Sequence, residues 1–343
     1  MFENLRRPYI IAEIGVNHGG NIDLAKKLID LAKEGGANCA KFQSYKAEKI
    51  ASKNSPAYWD TSKEPTKSQF ELFKKYDSFS SNEYEILAEY CNNIGIDFLS
   101  TPFDLDAVDF LNPLMKYYKI ASADITNIPL LRKVASKGKP ILLSIGASYY
   151  YEVQQAIHIL RKAGATEIII MHCVLNYPTS NEEAYIGRIA KLRSLFPEFT
   201  IGYSDHTLPD EQMLILTSAW LVGASVLEKH FTYDKTLQGN DHYHSMDIND
   251  LKKLNSNIEF ILKIYGEEGF DENLLNQESA RLNARRSIVS SCKIRKGELF
   301  TEDNLTCKRP AHGISPIHWD EVIGKKASKD IEDDSILKWS DIN

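Results

Sequence analysis

One feature limits what this chain can fold into more than any other: short apolar, β-branched runs alternate with longer amphipathic segments from residue 9 to about residue 265. The runs are YIIAEIGVN (9–17), CAKFQSY (39–45), DFLSTPF (97–103), YYKIAS (117–122), PILLSIGA (140–147), EIIIMHCV (167–174), TIGYSD (200–205) and SVLEKHFT (225–232), eight in all. The segments between them have helical spacing, with Leu24, Leu28 and Leu31 on one face and Val153, Ile157 and Leu160 on another. Glycines at 36, 138, 164 and 223 stand where helices should stop. Eight β-then-α units in about 250 residues is the count of a (β/α)8 barrel. A doubly wound open sheet is the alternative, but no glycine-rich phosphate fingerprint follows the first run.

The chain of 343 residues is longer than one such unit needs. After residue 265 the texture changes to short strand-like pieces and turns, and KIRKGELFTEDNL weakly echoes DIEDDSILKWSDI. The expected organisation is a barrel domain over 1–270, a polar linker over 271–285 and a small, mostly β domain over 286–343. Residues 46–80 interrupt the alternation with an irregular insertion after the second strand, a place where long loops serve as lids or binding loops.

Lys and Arg are scattered in runs of no more than two in a chain of net charge -6, which excludes the basic stripe of a nucleic-acid binder. No run of about 18 apolar residues or signal-like N-terminus occurs, so a cytoplasmic protein with no membrane segment is expected. Five widely spaced cysteines without a CxxC pair read as free thiols.

In a barrel the strand ends and the loops after them build the site. Here they offer Glu13, Asn17 and His18, then Lys41, Gln43 and Ser44, then Ser100 and Thr101, then Lys119, Ser122 and Asp124. Later strands add Ser144, then His172, Asn176 and Tyr177, then Ser204, Asp205 and His206, and last Glu228, Lys229 and His230. Period-two alternation puts Lys41 with Gln43, and Glu228 with His230, on shared faces. An isolated buried ammonium is costly, so two barrel lysines imply either an anion such as phosphate or a pairing with Glu13 or Glu228.

The histidines also leave two readings open. His158, on a helix, and His172 read as satisfied core histidines. His206 and His230 close adjacent strands and are either core residues or ligands of one divalent first-row ion such as manganese. Just after the last strand, QGNDHYHSMD offers Asp241, His242 and His244 as further ligands, although an Asx turn explains Asn240 and Asp241 equally well. CKRPAHGIS puts Arg309 and His312 in the small domain, where Arg309 either makes a surface ion pair or reaches into an active site.

With these blocks in place, the chain resembles the N-acetylneuraminate (sialic acid) synthase family and its legionaminic and pseudaminic acid relatives. AEIGVNHGG, KFQS, STPF, YKIAS, YPT, GYSDHT, LEKHFT, SMD and KRPAHGIS match in order and spacing over nearly the whole length. The resemblance implies a (β/α)8 barrel followed by an antifreeze-like (SAF) domain. It implies a transferase that condenses phosphoenolpyruvate with an N-acetylmannosamine-like aldose and water, giving a nine-carbon 2-keto sugar acid and phosphate. It also implies a divalent metal, Mn2+ or alternatively Mg2+ or Co2+, and a domain-swapped homodimer.

Position by position, His206 and His230 resemble the metal ligands. Lys41, Thr101, Lys119, Ser122, Ser144 and Ser204 resemble the phosphoenolpyruvate cradle. Glu13, Gln43, Glu228 and Asp241 resemble the groups around the reacting carbons and the sugar, with Glu13, Gln43 and Glu228 in catalytic roles. Tyr177 is expected close to both substrates, and Arg309 resembles the arginine that a neighbouring subunit supplies.

Departures fall mainly on the sugar side: Asp124 replaces a glutamate, Leu175 an Asn or Thr, SIGAS with Ile145 a usual STGM, and HYH less basic residues. KFQS and STPFD lean toward a legionaminic-type synthase using a 2,4-diacetamido-trideoxyhexose, with a pseudaminic-type enzyme as another option. A non-catalytic sugar or phosphoenolpyruvate binding protein and a metal-dependent barrel hydrolase are the readings from other classes.

Overall fold

A computed structural model describes residues 7–59, 61–62, 64–239, 241–266 and 274–343. It separates into two units, Met1–Ile264 and Tyr265–Asn343. The expected boundary between residues 270 and 271 lies outside the described residues.

In the larger unit each of the eight apolar runs contains a strand. They are β1 (Tyr9–Gly15), β2 (Cys39–Ser44), β3 (Asp97–Pro102), β4 (Tyr118–Ile120), β5 (Ile141–Ser144), β6 (Ile168–His172), β7 (Thr200–Asp205) and β8 (Val226–His230). They hydrogen-bond in parallel in the order β3-β2-β1-β8-β7-β6-β5-β4, and β3 and β4 lie side by side where the ring closes. This is a (β/α)8-type sheet, and the open doubly wound alternative does not describe it.

Most strands stop short of the apolar runs that announced them. In the fourth run only YKI pairs, because Ser122–Asp124 turns at once into a 3-10 helix. Several residues trimmed from the C-terminal ends of the runs, among them Tyr45, Phe103, Ser122 and Cys173, become the first residues of the rim loops and line the opening.

The helices form where the spacing predicts. In Ile22–Gly35 the Asn21 side chain accepts from the backbone N–H groups of Asp23 and Leu24, and Gly36 ends the helix at φ 94°. A cap of that kind contributes about 1 kcal/mol. The helix buries Leu28, Ile29 and Ala32, with Leu24 and Leu31 packed partly exposed against the same core, and Tyr150–Lys162 buries Val153, Ile157 and Leu160. The insertion is less irregular than expected: it carries helices Ala47–Ile50 and Gln69–Tyr76 and an antiparallel bridge between Pro56 and Ser68.

The smaller unit has an apolar core that includes Ile288, Phe300, Leu305 and Leu337. Strands β9 (Ser287–Ser290) and β10 (Leu305–Lys308) pair antiparallel. The sequence echo has a structural counterpart, because a bridge, a turn and a second bridge recur at Ile294 to Leu299 and at Ile331 to Ile336. All five cysteines are free thiols. Among the described residues, no helix is long and apolar enough to cross a membrane.

Candidate active site

Parallel pairing delivers every strand's C-terminal end to one rim, and the register decides who meets whom. Glu13 sits opposite Lys41 on one side and His230 on the other, and Ser204 sits opposite Glu228. β1 slips its register between Glu13 and Gly15, with Gly15 at φ 57°. A Cβ there would lie 3.3 Å from Gln43 Nε2, so glycine lets the bulge pass beside the Gln43 amide.

The rim opens into a cavity of about 620 Å³. Glu13, Lys41, Gln43, Thr101, Lys119, Ser122, Asp124, Ser144, Tyr177, Ser204, His206, Glu228, His230 and Asp241 all line it, widely separated in sequence yet gathered in one space. Arg309 belongs to the smaller unit, is exposed and makes no ion pair among the described residues. Asn240 lies outside the described residues.

The floor of the cavity is a buried network of alternating charge. Lys41 Nζ lies 2.5 Å from Glu13 Oε2 and 3.5 Å from Glu228 Oε1, and Lys119 Nζ lies 2.8 Å from Glu228 Oε1. Gln43 Nε2 donates to Glu13 Oε1 at 2.9 Å and Ser204 Oγ to Glu228 Oε1 at 3.1 Å. Two lysines therefore meet two carboxylates, and the argument that unpaired ammonium groups demand an anion does not hold for this barrel. The pointer to a ligand comes instead from Ser144 Oγ and Glu228 Oε2, buried polar atoms that make no hydrogen bond.

The same network separates the two carboxylates in acidity. Burial and the neighbouring Glu228 charge, only partly offset by Lys41, raise Glu13 above the usual carboxylate range. For Glu228 burial works in the same direction, but Lys119 and Lys41 overcome it and hold the group low, at about 2. A pair split in this way offers one proton-carrying group and one permanent anion. Burial also raises Asp124, whose carboxylate accepts from Asn127 Nδ2 at 2.9 Å.

His206 and His230 are kept neutral by burial, His206 down to about 4 and His230 well below its ordinary value with His244 and His206 as further causes. His206 Nδ1 donates to the Val174 carbonyl at 2.6 Å, which fixes the tautomer and leaves Nε2 as a lone-pair donor, the usual support of a ligating imidazole. His230 Nδ1 is buried without a hydrogen bond, with Asp241 Oδ2 at 3.5 Å. The ring centroids of the two histidines are 5.8 Å apart. Imidazoles sharing one ion stand up to ~6 Å apart, so these residues fit a divalent metal. Tyr177 packs on both rings, at 4.2 and 6.0 Å.

Asp205 and Lys229, polar residues at the same strand ends, lie outside the cavity lining. Lys229 Nζ lies 2.6 Å from Asp205 Oδ2 and 2.6 Å from the Thr207 carbonyl. Tyr203 Oη donates to Asp205 Oδ1 at 2.9 Å, as does Thr207 N–H at 3.0 Å. This buried pair clamps the backbone on either side of His206. His172 is satisfied in the core by the Ala184 carbonyl, whereas His158, expected in the core, is exposed on the outer face of its helix, and His18 stacks on Phe79 away from the opening.

Three features of the site escaped the sequence reading. The insertion supplies an aromatic wall from Tyr58, Trp59, Phe73 and Tyr76, joined by Tyr45 at the end of the second run and announced only by the density of aromatics there. Cys173 also lines the cavity, and its Sγ accepts from Gly146 N–H at 3.1 Å. Ile145 packs against the barrel core, so of the two apolar departures only Leu175 faces the cavity.

With this geometry in hand, similarity to known proteins becomes informative. The NeuB family model matches residues 28–269 and the SAF domain model residues 285–343. An N,N'-diacetyllegionaminic acid synthase of Campylobacter jejuni subsp. jejuni serotype O:2 is 40% identical, over 97% of this chain and 100% of that protein. The N-acetylneuraminate-9-phosphate synthase of Homo sapiens is 33% identical, over 96% of this chain and 91% of its own. The crystal structure of an N-acetylneuraminic acid (sialic acid) synthetase from Leptospira borgpetersenii serovar Hardjo-bovis, in complex with citrate, superposes with a TM-score of 0.69. It has 35% identity and covers 81% of this chain and 93% of that one.

Proposed function

This chain belongs to the NeuB family, and on that basis we propose that it is a sialic-acid-type synthase. It condenses phosphoenolpyruvate with an open-chain acylamino aldose and water to give a nine-carbon 2-keto sugar acid and phosphate. The observation that carries this reading is one cavity holding a charge-balanced Lys41–Glu13 and Lys119–Glu228 floor beside two neutral imidazoles, His206 and His230.

Lys41 and Lys119 hold the phosphate of phosphoenolpyruvate, and Ser144, Ser122, Thr101 and Ser204 supply hydroxyls to its oxygens. The lysines reach a bound phosphate only by loosening their ion pairs, which frees Glu13 and Glu228 for the reacting carbons. His206 and His230 would hold a divalent ion, manganese in the first instance. When bound, that ion supplies Lewis-acid polarisation of the aldehyde.

Attack of C3 of phosphoenolpyruvate on the aldehyde carbon leaves positive charge at C2. Glu228, anionic throughout, stabilises that charge. Glu13, whose burial makes it a stronger base than an ordinary carboxylate and whose bond to Gln43 holds it, positions the water that adds at C2 and takes its proton, balancing the one gained by the hydroxyl formed from the aldehyde oxygen. The tetrahedral intermediate then expels phosphate by C–O cleavage, with Lys41 and Lys119 holding the leaving group. Asp124 and Asp241 meet sugar hydroxyls, Tyr177 packs between the substrates, and Arg309 comes from the SAF domain of a second copy in a domain-swapped dimer. Phosphoenolpyruvate is made in the cytoplasm, which is where we place the enzyme.

One observation favours a particular aldose. The outer cavity is walled by Tyr58, Trp59, Tyr76, Phe103 and Leu175. Among the described residues, the only lysine in the lining besides the two at the floor is Lys49, already paired with Asp104 and Asp106. An apolar wall without a spare cation suits acetamido methyls and a 6-deoxy carbon better than a phosphorylated sugar. The aldose is therefore a 2,4-diacetamido-trideoxyhexose of the legionaminic type.

The test is metal-dependent phosphate release from phosphoenolpyruvate over a panel of 2-acetamido, 2-acetamido 6-phosphate and 2,4-diacetamido hexoses. Release with the diacetamido sugar, lost in His206→Ala and His230→Ala, is expected. Tight phosphoenolpyruvate binding with no release for any sugar would refute the synthase reading.

A further inference from the structure

We infer that His244 and one carboxylate oxygen of Asp241 join His206 and His230 as direct ligands of the divalent ion, giving this chain a three-histidine, one-carboxylate centre built from β7, β8 and the loop after it, with the other Asp241 oxygen left for the sugar. The inference rests on the reading above that an ion is held at His230, and goes beyond its pair of strand-end histidines.

His230, Asp241 and His244 each present a ligating atom, and all of these atoms lie within 4.8 Å of one another. Around an ion with bonds of ~2.1 Å, ligand atoms stand ~3–4 Å apart, so side-chain shifts of about an ångström close the set. The His230 and His244 rings are 4.8 Å apart, centroid to centroid, at 62°. His230 Nδ1, buried and without a hydrogen bond, already has Asp241 Oδ2 at 3.5 Å.

The loop is held in place by its backbone. Met246 N–H donates to the His230 carbonyl at 2.8 Å and Thr232 N–H to the Met246 carbonyl at 3.0 Å, which pins the end of the HYH segment beside β8. Ser245 Oγ donates to the Asp241 carbonyl at 2.5 Å, and Asn17 Nδ2 holds both the Phe231 carbonyl and Ser245 Oγ. His244 is fully buried in this frame. His242, two residues earlier, instead has Nδ1 engaged with Thr232 Oγ1 at 2.8 Å and is no part of the cluster. The spacing of HYH thus gives its two histidines different tasks.

Two further protein donors raise affinity and leave fewer positions for substrate oxygens. Added nitrogen also moves the preference from magnesium and manganese toward cobalt, iron or zinc.

The deciding experiment titrates the full-length protein with Mn2+, reading free Mn2+ by EPR and counting bound imidazole nitrogens by pulsed EPR. His244→Ala and the smaller perturbation His244→Asn should each weaken Mn2+ binding more than 100-fold, beyond the ~10- to 100-fold typical of an outer-sphere partner, and remove one nitrogen coupling. His158→Ala, on an exposed helix face, should change neither, and metal-free thermal unfolding of His244→Asn checks that the fold survives. Unchanged affinity and couplings in both His244 variants would overturn this inference while leaving an ion at His206 and His230. Failure of the wild-type chain to bind Mn2+ at all would overturn both.

Discussion

Lys119→Met is the substitution that best separates structure from function in this cavity. Lys119 Nζ touches Glu228 Oε1 at 2.8 Å, and both side chains are almost wholly buried, at 5% and 6% exposure. Removing the lysine leaves two buried carboxylates to share Lys41, which stands 2.5 Å from Glu13 and 3.5 Å from Glu228. Breaking a buried pair from one side costs about 3–5 kcal/mol. At roughly 2–4 °C per kcal/mol for a domain near this size, the midpoint of thermal unfolding should fall by about 6–20 °C. If Lys119 also holds phosphate, losing one charge-assisted contact of about 1.5–3 kcal/mol should raise KM for phosphoenolpyruvate by about 10- to 150-fold. The double variant Lys119→Met with Glu228→Gln discriminates, because it neutralises the orphaned carboxylate. It should regain most of the thermal midpoint and none of the phosphoenolpyruvate affinity. Unfolding followed by circular dichroism and phosphoenolpyruvate binding by calorimetry measure the two effects. Full affinity in the double variant would show that Lys119 is only Glu228's structural partner, and a single variant as stable as wild type would refute the network itself.

The clamp beside His206 obeys the same rule outside the cavity: Lys229→Met should lose about 3–5 kcal/mol, and Asp205→Asn with Lys229→Met should recover most of it in the same unfolding assay. His18 gives a pH signature. Burial lowers it from 6.5 to about 4, so the folded chain refuses a proton that the unfolded chain accepts. Its contribution is complete above about 6.5 and is lost as pH falls toward 4, by roughly 3 kcal/mol in total, and a thermal-midpoint-versus-pH slope unchanged in His18→Phe would refute this. At Gly202 an added Cβ would lie 2.2 Å from Met171 Sδ and 2.9 Å from the Val226 carbonyl. Gly202→Ala should therefore cost about 1–3 kcal/mol of overpacking, and Met171→Ala in the same chain should relieve part of it.

The barrel was legible because parallel strands buried on both faces read as continuous apolar runs, and the helices between them declare a period and a stop. What the runs could not show was where pairing ends. In PILLSIGA the apolar character continues to Ala147, yet only Ile141–Ser144 pairs, since the next residues must turn across the rim. The insertion was legible as an interruption but not as two short helices, because neither Ala47–Ile50 nor Gln69–Tyr76 is long enough to establish a period.

For the site, residue types at strand ends were readable and their partners were not. Lys119 and Glu228 are 109 positions apart, and nothing local says that one ends on the other. Alternation could have gone further than it did: if Ser204 and His206 face inward, Asp205 must face out, and if Glu228 and His230 do, so must Lys229. Those two outward residues then meet across adjacent strands, at 2.6 Å. The same logic fails in the loop after β8, where no period applies. There the order Asp241, His242, Tyr243, His244 names three candidates, Asp241, His242 and His244, and gives no means of choosing. The choice is made by backbone bonds from Met246 to His230 and from Thr232 to Met246, which bring His244 against His230 while Thr232 engages His242. A loop's ligands are thus set by where its ends are tied, and in this chain both ties run to the strand end that carries His230.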